Sequence, residues 1–370
     1  MKRTLGGLLC ALALAPAVAS AQSGVASGIR FQGYDFGEGF ASEAVNLLWF
    51  PLALEHTLTR TVRVDAYTAY ARGAANLGGT EYTLDGLVDT QVRVNWTVQP
   101  WAVLTIGANL PTGDPSHDSN EARVASMLST ELLGFQEANF GLGFATTTGI
   151  ATAYRTGEYG LGFGASYRAA TGFEPSADTA VTYTPGDELR LRVALDRDFG
   201  GNRLTVGGTF QTFRTDELDG RNLFQSGKRW RGDVSYSFRT GANATWTAFA
   251  SDVYRDRGDA IVSFIDATGT PRDSSFQTGY QNILVGGVRG SWQLSPGLSV
   301  RPGFDARIQS REQDDGEGWL IGAGGDVPLR WGRFDVFPSV RATLGELTDA
   351  AGVGYRVLGA ELGLMMRWGR

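Results

Sequence analysis

The sequence predicts an all-β protein, a transmembrane antiparallel up-and-down β-barrel of about sixteen strands with short periplasmic turns and long extracellular loops. Three observations lead there. Apolar and polar residues alternate over unusually long runs, short and long connections alternate along the chain, and tryptophans gather near the turns.

The alternation has a period of two. From Val88 to Val98 the even positions read Val88, Thr90, Val92, Val94, Trp96 and Val98, and the odd ones Asp89, Gln91, Arg93, Asn95 and Thr97. From Glu188 to Asp196, Leu189, Leu191, Val193 and Leu195 alternate with Glu188, Arg190, Arg192 and Asp196. From Leu298 to Ile308, one face holds Leu298, Val300, Phe304 and Ile308 and the other Arg301, Asp305 and Arg307. Such a pattern places one face in an apolar medium and the other in water. Soluble sheets use strands of about five to six residues, whereas a strand tilted across a bilayer needs about nine to eleven. Strand length therefore selects the membrane.

Tight connections fall at 57–61, 98–100, 156–158, 200–202, 240–243, 295–297 and 331–332. Between them run the longer polar segments 73–83, 111–138, 170–186, 215–227, 255–279, 310–317 and 345–354. Strict alternation of short and long is the asymmetry of an outer-membrane barrel. Trp96, Trp101, Trp246, Trp292 and Trp331 lie within a few residues of a short turn, and Trp368 lies near the chain end. Trp230 and Trp319 sit at the opposite ends of their strands, so the indoles read as two interfacial girdles.

Fifteen strands can be read directly: 45–55, 62–72, 84–98, 101–110, 140–155, 159–169, 187–199, 203–214, 228–239, 244–254, 281–294, 298–309, 318–330, 333–344 and 355–368. An even number is required if both ends face the periplasm, and Gly28 to Phe36 supplies the sixteenth. Fourteen strands follow if that segment, or the poorly alternating 244–254, is misread. The last strand sets Leu358, Ala360, Leu362, Leu364, Met366 and Trp368 against Val357, Gly359, Glu361, Gly363, Met365 and Arg367. It resembles the C-terminal insertion signal of outer-membrane proteins, which implies the barrel-assembly machinery as a partner, although the aromatic stands two residues before the end.

The first residues read as an export signal, with Lys2 and Arg3 before an apolar run to Val18 and Ala19-Ser20-Ala21 before Gln22. Residues 1–21 are thus expected to be a signal peptide and 22–370 the barrel. The only cysteine, Cys10, lies inside that signal, so no disulfide or thiol chemistry is expected beyond it. The remainder carries 31 basic against 39 acidic residues, a balance that argues against a nucleic-acid partner.

Catalytic groups are few. The histidines are His56 and His117, and neither stands in a metal-ligand pattern, so no metal or cofactor is expected. Ser116-His117-Asp118-Ser119-Asn120 superficially resembles the core motif of outer-membrane phospholipase A. Glu121 follows where that family has Gly, and the segment sits in a polar loop. A solvated loop without catalysis is the expectation. The polar strand faces, carrying Arg93, Arg190, Arg192, Arg231, Arg301, Arg307 and Arg341, fit a water-filled lumen and are the candidate solute contacts.

The longest connection, 111–138, has a pattern of its own. Val124, Met127, Leu128, Leu132, Leu133 and Phe135 recur at helical spacing, which predicts an amphipathic helix over Glu121 to Phe135. Its apolar face has to be buried in the lumen, against other loops or in a partner. Folded inward, Met127, Leu128, Leu132 and Phe135 would form a constriction; folded outward, the segment would be a cap without a role in selectivity.

Trp101 to Asp114, ending Leu110-Pro111-Thr112-Gly113-Asp114 and preceded by Leu87-Val88-Asp89, resembles a strand-to-loop segment of the outer-membrane transporters grouped as the phenol-degradation meta-pathway family, themselves distantly similar to long-chain fatty-acid transporters. That resemblance covers some thirty residues and implies uptake of hydrophobic or aromatic small molecules. The expected function is a non-enzymatic channel or transporter for passive uptake of small molecules, embedded in outer-membrane lipid. A structural or adhesive surface barrel with a plugged lumen is the alternative, and a membrane-embedded lipase a remote one. Substrate and oligomeric state are not legible.

Overall fold

The computed structural model describes residues 23–369 apart from 41, 139, 266–270, 313–316 and 350. The expected signal peptide, 1–21, lies outside the described residues. Sixteen antiparallel staves close into one barrel. In chain order they are β1 (Ser23–Phe36), β2 (Ala44–Thr57), β3 (Val62–Leu77), β4 (Thr80–Leu87 continued by Thr90–Gln99), β5 (Ala102–Leu110), β6 (Ala145–Thr156), β7 (Tyr159–Ala170) and β8 (Glu188–Phe199). Then follow β9 (Asn202–Phe213), β10 (Arg229–Thr240), β11 (Ala244–Arg255), β12 (Gln281–Ser295), β13 (Leu298–Arg311), β14 (Gly318–Asp326 continued by Leu329–Trp331), β15 (Phe334–Thr348) and β16 (Gly354–Gly369). Neighbours in sequence pair, and β1 closes the ring on β16, with Val25 opposite Trp368 and Phe36 opposite Val357. Closure leaves no exposed sheet edge, which hydrocarbon would not tolerate.

Residues opposite one another in an antiparallel pair share a face, so the registers sort every stave. One row from Arg93 passes through Gly107, Thr147 and Arg168 to Glu188. Another passes from Asp305 to Gly322 and Thr343. These rows face inward. The opposite face carries Ile106, Phe304, Ile308, Val340 and Leu362, all exposed, Ile106 to 64% and Val340 to 60%. Large aliphatics this exposed around a whole ring make an apolar belt of the kind a bilayer covers. Trp96, Trp101, Trp292 and Trp331 are exposed near the short turns, and Trp230 and Trp319 near the loop ends. Trp49 faces inward, opposite Ala71.

Three features depart from the sequence reading. Segment 73–83 is not a loop: β3 runs on to Leu77, Gly78-Gly79 turn tightly, and β4 starts at Thr80. Both glycines have positive φ, +59° and +77°, which a two-residue hairpin of this type requires. The alternation of short and long connections fails there because the hairpin projects past the rim as a paired extension.

Second, the regular alternation expected through Val88 breaks at Val88-Asp89. The pairing of β3 passes from Tyr70–Leu87 to Tyr67–Gln91, three steps against four, so β4 gains one extra residue at a bulge. Val88 and Asp89 are both buried, instead of one facing lipid and the other water.

Third, the polar loops build a second sheet outside the barrel, from Tyr183–Thr184, Thr215–Leu218, Arg221–Gln225, Asp259–Ile265 and Pro271–Gln277.

Candidate functional site: the inner wall and segment 111–144

The segment between β5 and β6 starts on the bulge of β4. Asp89 Oδ1 accepts from the Gly113 amide at 3.0 Å, and its Oδ2 accepts from the Leu142 amide at 2.7 Å and from Asn109 Nδ2 at 2.8 Å. Thr112 Oγ1 accepts from the Thr90 amide at 2.8 Å and donates to the Val88 carbonyl at 3.1 Å. The Leu87-Val88-Asp89 and Pro111-Thr112-Gly113 stretches therefore touch, and together they fix where the segment enters and leaves.

Helix α1 (Ser119–Leu128) follows. Asp118 caps it, accepting from the Asn120 and Glu121 amides, while Glu121 Oε2 accepts from the Asp118 amide at 3.0 Å. This reciprocal box satisfies N-terminal amides that would otherwise lack partners. The helix ends seven residues before Phe135, because Ser129 turns back on the Ala125 carbonyl, its hydroxyl at 2.8 Å. Asp118 is thus engaged in capping. His117 bonds through its main chain to Pro175 and Ala177. The phospholipase-like pentapeptide is a helix start.

The centre of the segment's apolar side is fully buried. Val124, Leu128, Leu132 and Leu133 are each at most 1% exposed and pack with Tyr34, Val45, Leu47, Ala71, Leu320 and Val357 from the inner face of β1–β3 and β14–β16. Burial of each such side chain stabilises by roughly 1.5–3 kcal/mol. Leu128 and Leu132, expected as constriction residues, consequently bind the segment to the wall and offer nothing to a solute. Met127 and Phe135 are partly buried against the same cluster.

Polar contacts hold the turn after the helix. Tyr34 Oη donates to the Leu133 carbonyl at 2.7 Å, Gln32 Nε2 reaches the same carbonyl and that of Gly134 at 3.3 Å, and Arg307 Nη1 donates to the Leu133 carbonyl at 3.3 Å. Gly134 has φ +64°, and a Cβ there would lie 2.1 Å from Arg307 Nη1. Glu131 pairs with Arg255 and stands 3.7 Å from Arg229. Tyr67 Oη donates to Glu137 Oε1 at 2.5 Å. Burial pushes the Glu137 carboxyl up, against the lowering effect of the Tyr67 hydrogen bond.

The seven arginines read from the sequence all stand on the inner face. Most are paired. Arg192 makes a two-pronged contact with Asp233, both arms at 3.0 Å, and Arg341 does so with Asp305 at 2.5 and 2.8 Å. Arg307 Nε lies 3.7 Å from Asp305, Arg301 Nη1 3.7 Å from Asp326, and Arg190 Nη2 2.7 Å from Glu188. Arg93 and Arg231 have no carboxylate partner among the described residues; Arg93 donates to Gln91 at 2.9 Å. Sequence reading missed Asp89, Tyr34, Gln32 and Arg168. Only the break of alternation after Leu87 could have pointed to Asp89.

An inner recess of about 500 Å³ lies along β4–β8, opposite the apolar wall. A larger one of about 590 Å³, lined by Ile150, Phe163, Leu191 and Trp230, is on the outer face of the wall and does not belong to the lumen. No group of three or more His, Cys, Asp or Glu among the described residues could hold a metal ion.

No protein-family profile matches the chain, and no curated protein matches it. Solved structures with a similar course include outer-membrane proteins. The TodX monoaromatic hydrocarbon channel, as a deltaS2 mutant, is 12% identical with a TM-score of 0.48, covering 95% of this chain and 91% of its own. Pseudomonas aeruginosa OccK9 is 12% identical with a TM-score of 0.47, covering 94% and 98%. The OmpT loop L8 deletion mutant of Vibrio cholerae is 10% identical with a TM-score of 0.43, covering 94% and 99%. The likeness is one of fold alone; the closed barrel itself is given by the chain's own strand pairing.

Proposed function

We propose that the chain is a passive channel of the outer membrane whose segment 111–138 folds into the lumen and narrows it. The supporting observation is the set of bonds from Gln32, Tyr34 and Arg307, all inner-face side chains, to the carbonyls of residues 132–134. The free path then runs along β4–β8, where the wall is polar and rich in arginine. The inner-face arginines, Arg93, Arg190, Arg192, Arg231, Arg301, Arg307 and Arg341, tune electrostatic selectivity. For hydrophobic or aromatic cargo, which the Leu-Pro-Thr-Gly-Asp resemblance implies, the segment offers only the partly buried Met127 and Phe135, since Val124, Leu128, Leu132 and Leu133 are fully buried.

Single-channel recording in planar bilayers tests this. The intact protein is expected to give small, discrete conductance steps, and deletion of 115–135 is expected to enlarge them. A correctly folded, inserted barrel that never conducts and does not admit solutes into liposomes would overturn the reading. Loss of binding to a surface partner on the same deletion, without any conductance, would favour the adhesive barrel.

A further inference from the structure

The inner recess has an unusual charge arrangement. Arg93 on β4, Gly107 on β5, Thr147 on β6 and Arg168 on β7 are successive residues of one cross-strand row. Strands lie about 4.8 Å apart, so three steps separate the two arginine Cα atoms by roughly 14 Å. Gly107 between them has no side chain, and the stem of Arg93 lies over it, 3.4 Å from where a Cβ would stand, so the Arg93 side chain leans along the row toward Thr147 and Arg168. Two guanidiniums on long stems, both on the concave face of a curved wall, can converge there on one small molecule.

The neighbouring carboxylates are already engaged. Glu188, next to Arg168 in the row and itself on the recess lining, accepts through Oε1 from Arg190 Nε at 2.9 Å and from Gln211 Nε2 at 2.8 Å, so Arg190 offsets its charge. Asp65, directly across from Arg93, is held by Arg63 at 3.1 Å and Asn95 at 2.6 Å. Asp89 is saturated by amides of Gly113, Leu142 and Asn109. Arg93 and Arg168 have no carboxylate partner among the described residues, while Arg192, Arg341 and Arg190 each have one. Thr147 and Ser166 add hydroxyls to the same lining. A wall that pairs most of its arginines and leaves two facing one open recess is arranged to take a mobile anion.

We infer that this recess binds a small organic dicarboxylate, one carboxylate at Arg93 and the other at Arg168. The recess volume falls within the range of small-molecule sites. Arginine suits the task because its planar fork meets a carboxylate with two parallel hydrogen bonds. This inference rests on the channel reading and supplies its substrate class.

Succinate is the probe, with the monoanion acetate and neutral glycerol as controls. Titration calorimetry on the detergent-solubilised full chain reads binding independently of conduction. Succinate is expected to bind at least ten-fold more tightly than acetate, and R93Q and R168Q are each expected to weaken it five-fold or more. R168K, which keeps charge but loses the fork, is expected to recover only part. Heat-modifiable migration on gels establishes that each variant is folded. In bilayers, succinate is expected to block the current of the intact protein at lower concentration than that of either variant. No succinate binding to the folded intact protein overturns the site, even if it conducts. Binding that both variants retain undiminished also overturns it. Binding without conductance leaves the site standing and overturns the channel.

Discussion

The Asp89 carboxylate accepts from the Gly113 amide at 3.0 Å, tying the bulge of β4 to the first residues of the segment after β5. Twenty-four residues separate them, and the strand between has to be in place for the contact to form. Asp89→Ala leaves the Gly113 and Leu142 amides without this partner, at a cost of about 1–3 kcal/mol for a buried donor. We expect the barrel to insert normally but its open-channel current to become noisier, with transitions to larger steps. A quiet, unchanged current trace would show that the anchor is dispensable.

Gly113 itself has no room for a side chain. An added Cβ would lie 1.8 Å from the Phe140 carbonyl oxygen and 2.8 Å from that of Leu87, both main-chain atoms that cannot swing aside. Gly113→Val is expected to displace the segment while sparing the staves. Limited proteolysis reads this as new cleavage between residues 111 and 144, with the barrel fragment still heat-modifiable.

The buried Glu137 carboxyl gives docking a pH dependence. Its pKa is raised in the docked state, so the protonated form fits better there than the charged one. Docking is therefore favoured at acid pH and weakens as pH rises through the raised value. Conductance is expected to increase over that rise, and Glu137→Gln is expected to flatten the profile at the low-conductance end.

Much of the barrel can be read from the residues because its physics is local. Leu358 to Trp368 alternate without interruption, so each side chain declares its medium, and the inner position of Arg93 or Arg341 follows from the same count. At the bulge the adjacent apolar pair Leu87-Val88 marks a break, but the count does not show that Val88 and Asp89 are both buried, which follows from the shifted pairing on β3. Helical spacing likewise continued from Val124 to Phe135, but Leu132 and Leu133 are buried beyond the helix end by a turn that Gly134 permits. The clamp on that turn was invisible for a simpler reason. Tyr34, Leu133 and Arg307 are far apart in the chain, and only closure brings them together.

The two faces of β5 differ sharply in what they tolerate. Ile106 faces lipid and Thr105 faces the lumen, donating to Asn95 at 2.9 Å. Ile106→Arg is expected to destabilise by about 2–4 kcal/mol if it lies near the bilayer midplane. Thr105→Arg is expected to leave stability nearly unchanged and to shift permeability toward anions. Urea-induced unfolding in vesicles, together with reversal potentials, separates the two.

Asp305 supports the Arg341 guanidinium and lies near Arg307. Asp305→Ala removes the carboxylate beside two cations at once, while Arg307 keeps its bond to the Leu133 carbonyl. The expected readout is a higher ratio of chloride to potassium permeability, largest at low salt where screening is weakest.

The clamp on Leu133 also bears on how the molecule is assembled. Tyr34 comes from the first stave and Arg307 from the thirteenth, on opposite sides of the seam where β1 meets β16. One carbonyl oxygen cannot receive both donors until that seam has zipped. The complete clamp is therefore a property of the closed cylinder, although the contacts with β1–β3 need no closure. The last donor to reach that oxygen thus reports which staves have already met.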